Sequence, residues 1–294
     1  TDRSVIDVNL TNATNLIKIS GFAVDQYFNI LGTQTEKKQD STYKKRKIDI
    51  GRINHHFEYQ RNRYVYEDSN PLSYFYNNYD PVIDSTKTFD SIYFHNIKNV
   101  IHWNTLGYKK HNNDIPFYLS FGLEHNFTYH AGYLDLNTNE RINKQNLSNL
   151  RANAGIIINL FKSTRITGNA QLITNGYHAG DFFIDGQWKQ FLGTYTKNLG
   201  ALKFDVNLNR QSADWVEEHY YSNNFRWHND FNPSTALLLQ GSYELPFLEI
   251  GIEQSNISNY IYFGTDAKPA QHSGTISVSS LYTTFDVKFR KFEF

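Results

Sequence analysis

The chain of 294 residues carries 29 basic and 29 acidic side chains, no cysteine and no methionine, and its mean hydropathy is polar at −0.58. A balanced charge gives no electrostatic reason to expect nucleic acid as a partner, and the lack of cysteine excludes a disulfide framework and thiolate chemistry. No apolar run approaches the roughly 18 residues of a membrane-spanning helix. The average hides an aromatic content of 16%, with 22 Phe, 21 Tyr and 4 Trp. Rings in that quantity fit the girdles that flank the apolar band of a membrane β-barrel, whose lumen and loops keep the mean hydropathy low.

Weak alternation between Val5 and Thr33 opens the chain, which starts at Thr1 without a basic segment leading into an apolar one. Glu36 to Lys47 (EKKQDSTYKKRK) is basic and irregular and reads as a solvated loop. Ile53, His55, Phe57 and Tyr59 then oppose Arg52, Asn54, His56 and Glu58. A period of two means a β-strand with one apolar and one polar face, because successive side chains point to opposite sides. Asp68 to Asp90, rich in Asn, Asp, Ser and Pro, reads as an external loop, and alternation resumes over 94–107.

The clearest strand runs from Phe117 to His130 (FYLSFGLEHNFTYH). Its odd positions are nearly all large and apolar, and its even positions are mostly small or polar. A soluble strand usually has about 5 to 6 residues, whereas a tilted strand crossing a bilayer needs about 9 to 11. The expectation is that Phe121 and Phe127 meet lipid and that Glu124 and Asn126 face a lumen. Further alternation follows at 150–161, 166–177 and 182–194 and at Leu202 to Asn209. Tyr221, Phe225 and Trp227 oppose Ser222, Asn224, Arg226 and His228. The runs 235–245 and 248–257 come next, and Leu281, Thr283, Phe285, Val287 and Phe289 alternate with Asp286, Lys288 and Arg290.

No segment has a capped helical period, and the connections come in two sizes. The reading is an all-β fold in a single domain, 1–294: a transmembrane antiparallel up-and-down β-barrel of about 12 to 14 strands, incomplete in this chain. Such a barrel works through a polar, water-filled lumen. The candidate lumen-facing groups are Arg52, His56, Glu58, Glu124, Lys203, Asp205, Arg226, His228, Asp286, Lys288 and Arg290. Their mixed signs predict weak ion selectivity at most; the alternative for each is an inter-strand ion pair or plain solvation.

Catalytic, cofactor and metal motifs are missing from the sequence: HExxH, paired CxxC, GxSxG, GxGxxG and the phosphate loop. An enzyme, a cofactor and a metal are therefore not expected. His55 and His56 are adjacent, so on a strand they face opposite sides and cannot chelate together. Asp214, Glu217, Glu218 and His219 lie near one turn, readable as a glycosidase-like carboxylate pair or as a solvated loop cluster.

The stretch RINHHFEYQRNRYVYED, with the loop YFYNNYD and TFDSIYFHNIKN after it, resembles the β-barrel porin family of Bacteroidetes outer membranes. So do FAVDQYFNILGTQ near the start and ISNYIYFGTDAKPAQHSGTISV leading into LYTTFDVKFRKFEF. These patches are spread over most of the chain, but they are aromatic and polar patterns without a catalytic signature. The resemblance implies a bacterial outer-membrane address and a longer protein of which this chain is an internal portion. It also implies outer-membrane lipid and lipopolysaccharide, small hydrophilic solutes and other outer-membrane proteins as partners. Asp40-Ser41-Thr42, Asp84-Ser85-Thr86 and Asp90-Ser91-Ile92 resemble the short O-glycosylation acceptor of Bacteroidetes proteins.

Three functions follow in order of preference. The first is a porin passing small hydrophilic solutes by diffusion. The second is a closed barrel docking in a larger envelope complex, with Ser73 to Tyr79 as a contact. The third is a soluble all-β carbohydrate-binding protein, against which the length of the strands counts.

Overall fold

The computed structural model describes residues 12–37, 43–71, 84–105, 117–132, 134–135, 140–161, 163–194, 197–286, 288–289 and 292–293. Long strands dominate: β1 (Ala13–Lys37), β2 (Tyr43–Asp68), β3 (Thr88–Asn104) and β4 (Phe117–Ala131) come first. Two short strands, β5 (Leu134–Asp135) and β6 (Glu140–Arg141), precede β7 (Lys144–Leu160), β8 (Thr164–Gly176), β9 (Phe182–Thr194) and β10 (Lys197–Gln211). A single-turn helix α1 (Trp215–Glu218) leads into a small hairpin, β11 (His219–Tyr221) and β12 (Arg226–His228). After β13 (Ser234–Leu245) and β14 (Leu248–Ser258) comes a second hairpin, β15 (Ile261–Phe263) and β16 (Pro269–Gln271). The chain continues with β17 (Thr275–Phe285) and the short pair β18 (Lys288–Phe289) and β19 (Phe292–Glu293).

The long strands form one eleven-stranded antiparallel sheet in the order β1-β2-β3-β4-β7-β8-β9-β10-β13-β14-β17. Every neighbour in the sheet is the next long strand in the chain, an up-and-down meander. Among the described residues β1 and β17 are edges, so the sheet is not closed. Among the described residues the sheet has eleven strands, and the alternation suggested twelve to fourteen for the whole chain. The weak stretch before Thr33 yields one long strand among the described residues, and Tyr221 to His228 is not a sheet strand at all. The basic segment also departs from expectation, because β1 continues to Lys37 and β2 begins at Tyr43, which leaves little of it as loop.

At one rim the connections 161–163, 195–196 and 246–247 are short, 105–116 being the long span there. At the other rim 69–87, 132–143, 212–233 and 259–274 join the strands. Gly176 turns the chain at that rim with φ +115°, where a Cβ would lie 1.8 Å from the Ser148 carbonyl oxygen, so no other residue fits.

Directly opposed residues in an antiparallel pair share a face, which sorts the whole sheet. One face carries Phe121 and Leu123, both more than half exposed, with Ile101, Val206, Ile252 and Leu281. The other carries the polar partners, mostly half-buried, so the sheet curls with its apolar face convex and its polar face concave. The apolar face has no core to cover it: the buried hydrophobic residues are only Val65, Ala131, Ile173, Ala201 and Ala213 among those described.

Aromatic residues on the convex face gather near its ends. Trp103 stacks on Phe121 at 6.0 Å and Trp188 meets Phe204 at 5.5 Å, toward the short-turn rim. Tyr59, Tyr93 and Tyr129 lie toward the other rim, in register through His95 and Ala131. Phe121 and Tyr129 are eight residues apart on β4, about 26 Å along the strand. With a tilt of about 40° the band between them is about 20 Å tall, close to the apolar height of a membrane barrel.

Candidate functional site

The concave face is a ladder of polar side chains whose charges pair across and along strands. Arg52 on β2 donates its Nε–H to Asn29 Oδ1 at 2.8 Å and lies over the Tyr27 ring at 4.8 Å. His56 contacts Asp25 at 2.7 Å and Glu58 at 3.5 Å. Glu58 stands opposite Lys98 in the register, and Lys98 reaches Glu124 at 3.8 Å. Arg151 on β7 approaches the other oxygen of Glu124 at 3.4 Å. Lys203 pairs with Asp205 at 3.2 Å, Gln187 donates to Asp205 at 2.7 Å, and Lys189 pairs with Glu244.

Six of the candidate lumen residues, Arg52, His56, Glu58, Glu124, Lys203 and Asp205, therefore share one face. The other five do not join them there. Arg226 and His228 lie on β12, outside the sheet, where Arg226 packs over Tyr221 at 4.1 Å and donates to its hydroxyl at 2.7 Å. Their alternation is real, but Ser222-Asn223-Asn224 is a turn sequence and bends the run into a hairpin. Asp286 follows the last residue of β17, exposed, and its N–H donates to the Phe247 carbonyl. Lys288 is in the short β18–β19 pair, apart from the main sheet. Arg290 lies outside the described residues, as does the loop Ser73 to Tyr79.

The segment 212–233, between β10 and β13, folds back over the concave face at the long-loop rim. Its anchor is on β3, which in the sheet order is five strands away from β10. Asn223, 1% exposed, accepts from the Asp84 N–H at 3.0 Å and donates to the Asp84 carbonyl at 3.1 Å and to Thr88. Its own N–H donates to the Asp90 carboxylate at 2.6 Å, and Asn224 donates to Thr88 at 3.2 Å. Along the way Ser212 donates its N–H and hydroxyl to Asp181, and Tyr177 donates its hydroxyl to Glu218. Asn143 donates to the His219 carbonyl at 3.1 Å.

The carboxylates of Glu217 and Glu218 have structural partners in this arrangement. Glu217 accepts from the Asp214 N–H at the start of α1, and Glu218 accepts from Tyr177 and from the Phe231 N–H. Burial and the Glu218 charge push the Tyr177 hydroxyl well above its usual pKa. Tyr220 is pushed up to about 12, by burial first and by Asp90 second. His219 meets His228, Nδ1 to Nδ1, at 2.7 Å; burial first, and the neighbouring imidazole second, lower its pKa. Of the acceptor-like triplets, Ser91 is 1% exposed and closed to modification, Ser85 and Thr86 are exposed, and Ser41 lies outside the described residues.

Between this segment and the wall is a cavity of about 720 Å³, lined from β3 to β10 by concave residues and closed above by Asp214, Trp215 and Val216. Sequence reasoning missed it, since the cavity depends on a loop crossing the sheet. The only local signal was the turn sequence at 222–224 interrupting an aromatic alternation.

Comparison with known proteins adds a family. A family model described as "Putative porin" matches residues 1–294, the whole chain. No curated protein and no solved structure matches.

Proposed function

The chain belongs to this porin family, and from that premise we propose that it forms the wall of an outer-membrane β-barrel through which small hydrophilic solutes diffuse. The observation that carries the reading is the division of one eleven-stranded meander into an uncovered apolar face and an internally paired polar face. A soluble protein would bury the first, and a bilayer solvates it. Closure, by pairing of β1 with β17 or with further strands, is part of the proposal, because an open edge has unpaired backbone groups that lipid cannot satisfy.

Transport in this reading needs no catalyst and no cofactor. The polar face offers water and solute a hydrogen-bonding wall, and the segment 212–233 narrows the mouth, so that passage is governed by size. The partners are outer-membrane lipid on the convex face and hydrophilic solutes within. The decisive measurement is planar-bilayer conductance of the purified protein. We expect discrete steps, together with faster gel migration when the sample is not boiled; purified protein that migrates in this way yet never conducts would overturn the channel.

A further inference from the structure

The cavity under the segment 212–233 has a lining more specific than a water-filled mouth requires. Carboxamides dominate its wall: Asn96, Asn126, Asn149, Gln171, Asn209 and Gln211 come from five different strands. Each offers a donor and an acceptor side by side, the combination that matches a hydroxyl group. The charges beside them are already committed. Glu124 is held by Arg151 and Lys98, and Asp181 by His178 at 3.5 Å, Arg210 at 3.9 Å and the Ser212 N–H. Asp214, exposed at the start of α1, is the carboxylate of the lining without an ion-pair partner among the described residues.

A further observation points to a ligand. Aromatic surface is present, from Trp215 in the roof and from Phe94 and Phe183 in the wall. Trp215 is held by rings on two sides, His219 at 3.9 Å and Tyr177 at 5.7 Å. The volume lies within the range of about 300–1,000 Å³ common to small-molecule sites.

We infer that this cavity is a binding station for a short neutral oligosaccharide, a conclusion that specifies the solute of the proposed channel and rests on that reading. Sugar hydroxyls pair with the carboxamides, the apolar faces of the sugar rings lie on the aromatics, and the absence of formal charge on the guest matches a wall whose ions, Asp214 apart, are internally neutralised. A free short peptide brings two terminal charges: Asp214 could meet its ammonium, but Arg151 and Arg210 are already paired, which leaves its carboxylate without a cation.

The test uses the purified full-length protein carrying this chain in planar bilayers, with maltotriose and cellotriose as probes. Either sugar should interrupt the ion current reversibly and in proportion to its concentration, and Trp215→Ala should raise the half-blocking concentration by about tenfold or more. Asn126→Leu, similar in size and without the carboxamide, gives a second variant should Trp215→Ala fail to fold, and it too should weaken the block. Normal conductance with no block by either sugar overturns the saccharide site and leaves the channel standing, and so does a stronger block by triglycine. Absence of conductance overturns the channel instead. In that event tryptophan fluorescence in detergent decides the site: quenching by maltotriose that disappears in Trp215→Phe supports it, and no quenching overturns it.

Discussion

Asn223 is a small amide with an unusually large share of the architecture at the mouth. Buried at 1% exposure, it exchanges hydrogen bonds with the Asp84 backbone, Thr88 and Asp90, and so fastens a segment that starts on β10 to the start of β3. Asn223→Ala leaves those buried groups unpaired, at a cost of about 1–3 kcal/mol. Protease cleavage within 212–233 should then accelerate about tenfold or more, while the sheet stays intact. Asn223→Asp should be worse, since it brings a carboxylate beside Asp84 and Asp90. The His219–His228 contact makes the same segment sensitive to pH. The folded pKa of His219 lies below its ordinary 6.5, so closure is fully stable above that value and weakens as the pH falls through it, when the released imidazole protonates more readily than the held one. Glu218 opposes this shift, and His228 reinforces it. Conductance should rise on acidification from pH 7.5 to 5.5, and His219→Gln should flatten the profile.

At the scale of the strand, alternation decides which substitutions are tolerated. Val206 and Asn207 are neighbours on β10, yet the register places Val206 beside Gly186 and Leu239 on the apolar face and Asn207 beside Asp185 on the polar one. Val206→Lys places an ammonium on the apolar face, which the proposed barrel turns to lipid, and should destabilise the folded protein by about 2–4 kcal/mol. Asn207→Lys, one residue on, gains Asp185 as a neighbour and should change stability by less than about 1 kcal/mol. Denaturant titration of the protein in lipid, followed by the loss of the fast-migrating band, checks both; equal costs would refute the assignment of faces. Strand periodicity was also where the sequence was most legible. The runs at 182–194, 235–245 and 248–257 coincide within a residue with β9, β13 and β14. The same period misled at Tyr221 to His228, because alternation is equally compatible with a three-residue hairpin arm, and Ser222-Asn223-Asn224 supplied the turn.

For the whole molecule, the pairing of charges across the polar face predicts poor discrimination between ions. Glu124, Asp205 and Glu244 each have a cationic partner, so little net field is left to favour either sign. In the proposed channel a salt gradient across the bilayer should give a reversal potential near zero; a strongly cation- or anion-selective value would show that the pairs are broken during conduction. By itself the sequence determined the all-β class, the positions of most long strands and the face to which Arg52, His56, Glu58, Glu124, Lys203 and Asp205 belong. Those follow from a period of two, which is local and survives in any register. Tertiary structure alone decided that Lys98 and Arg151 share Glu124, that Arg226 and His228 leave the main sheet, and that 212–233 crosses the polar face to roof a cavity. The Glu124 pairing and the crossing depend on contacts between residues 27 to 133 positions apart, set by strand register and by buried hydrogen bonds that no local pattern encodes, whereas the hairpin that takes Arg226 and His228 out is local and competes with a strand of the same period.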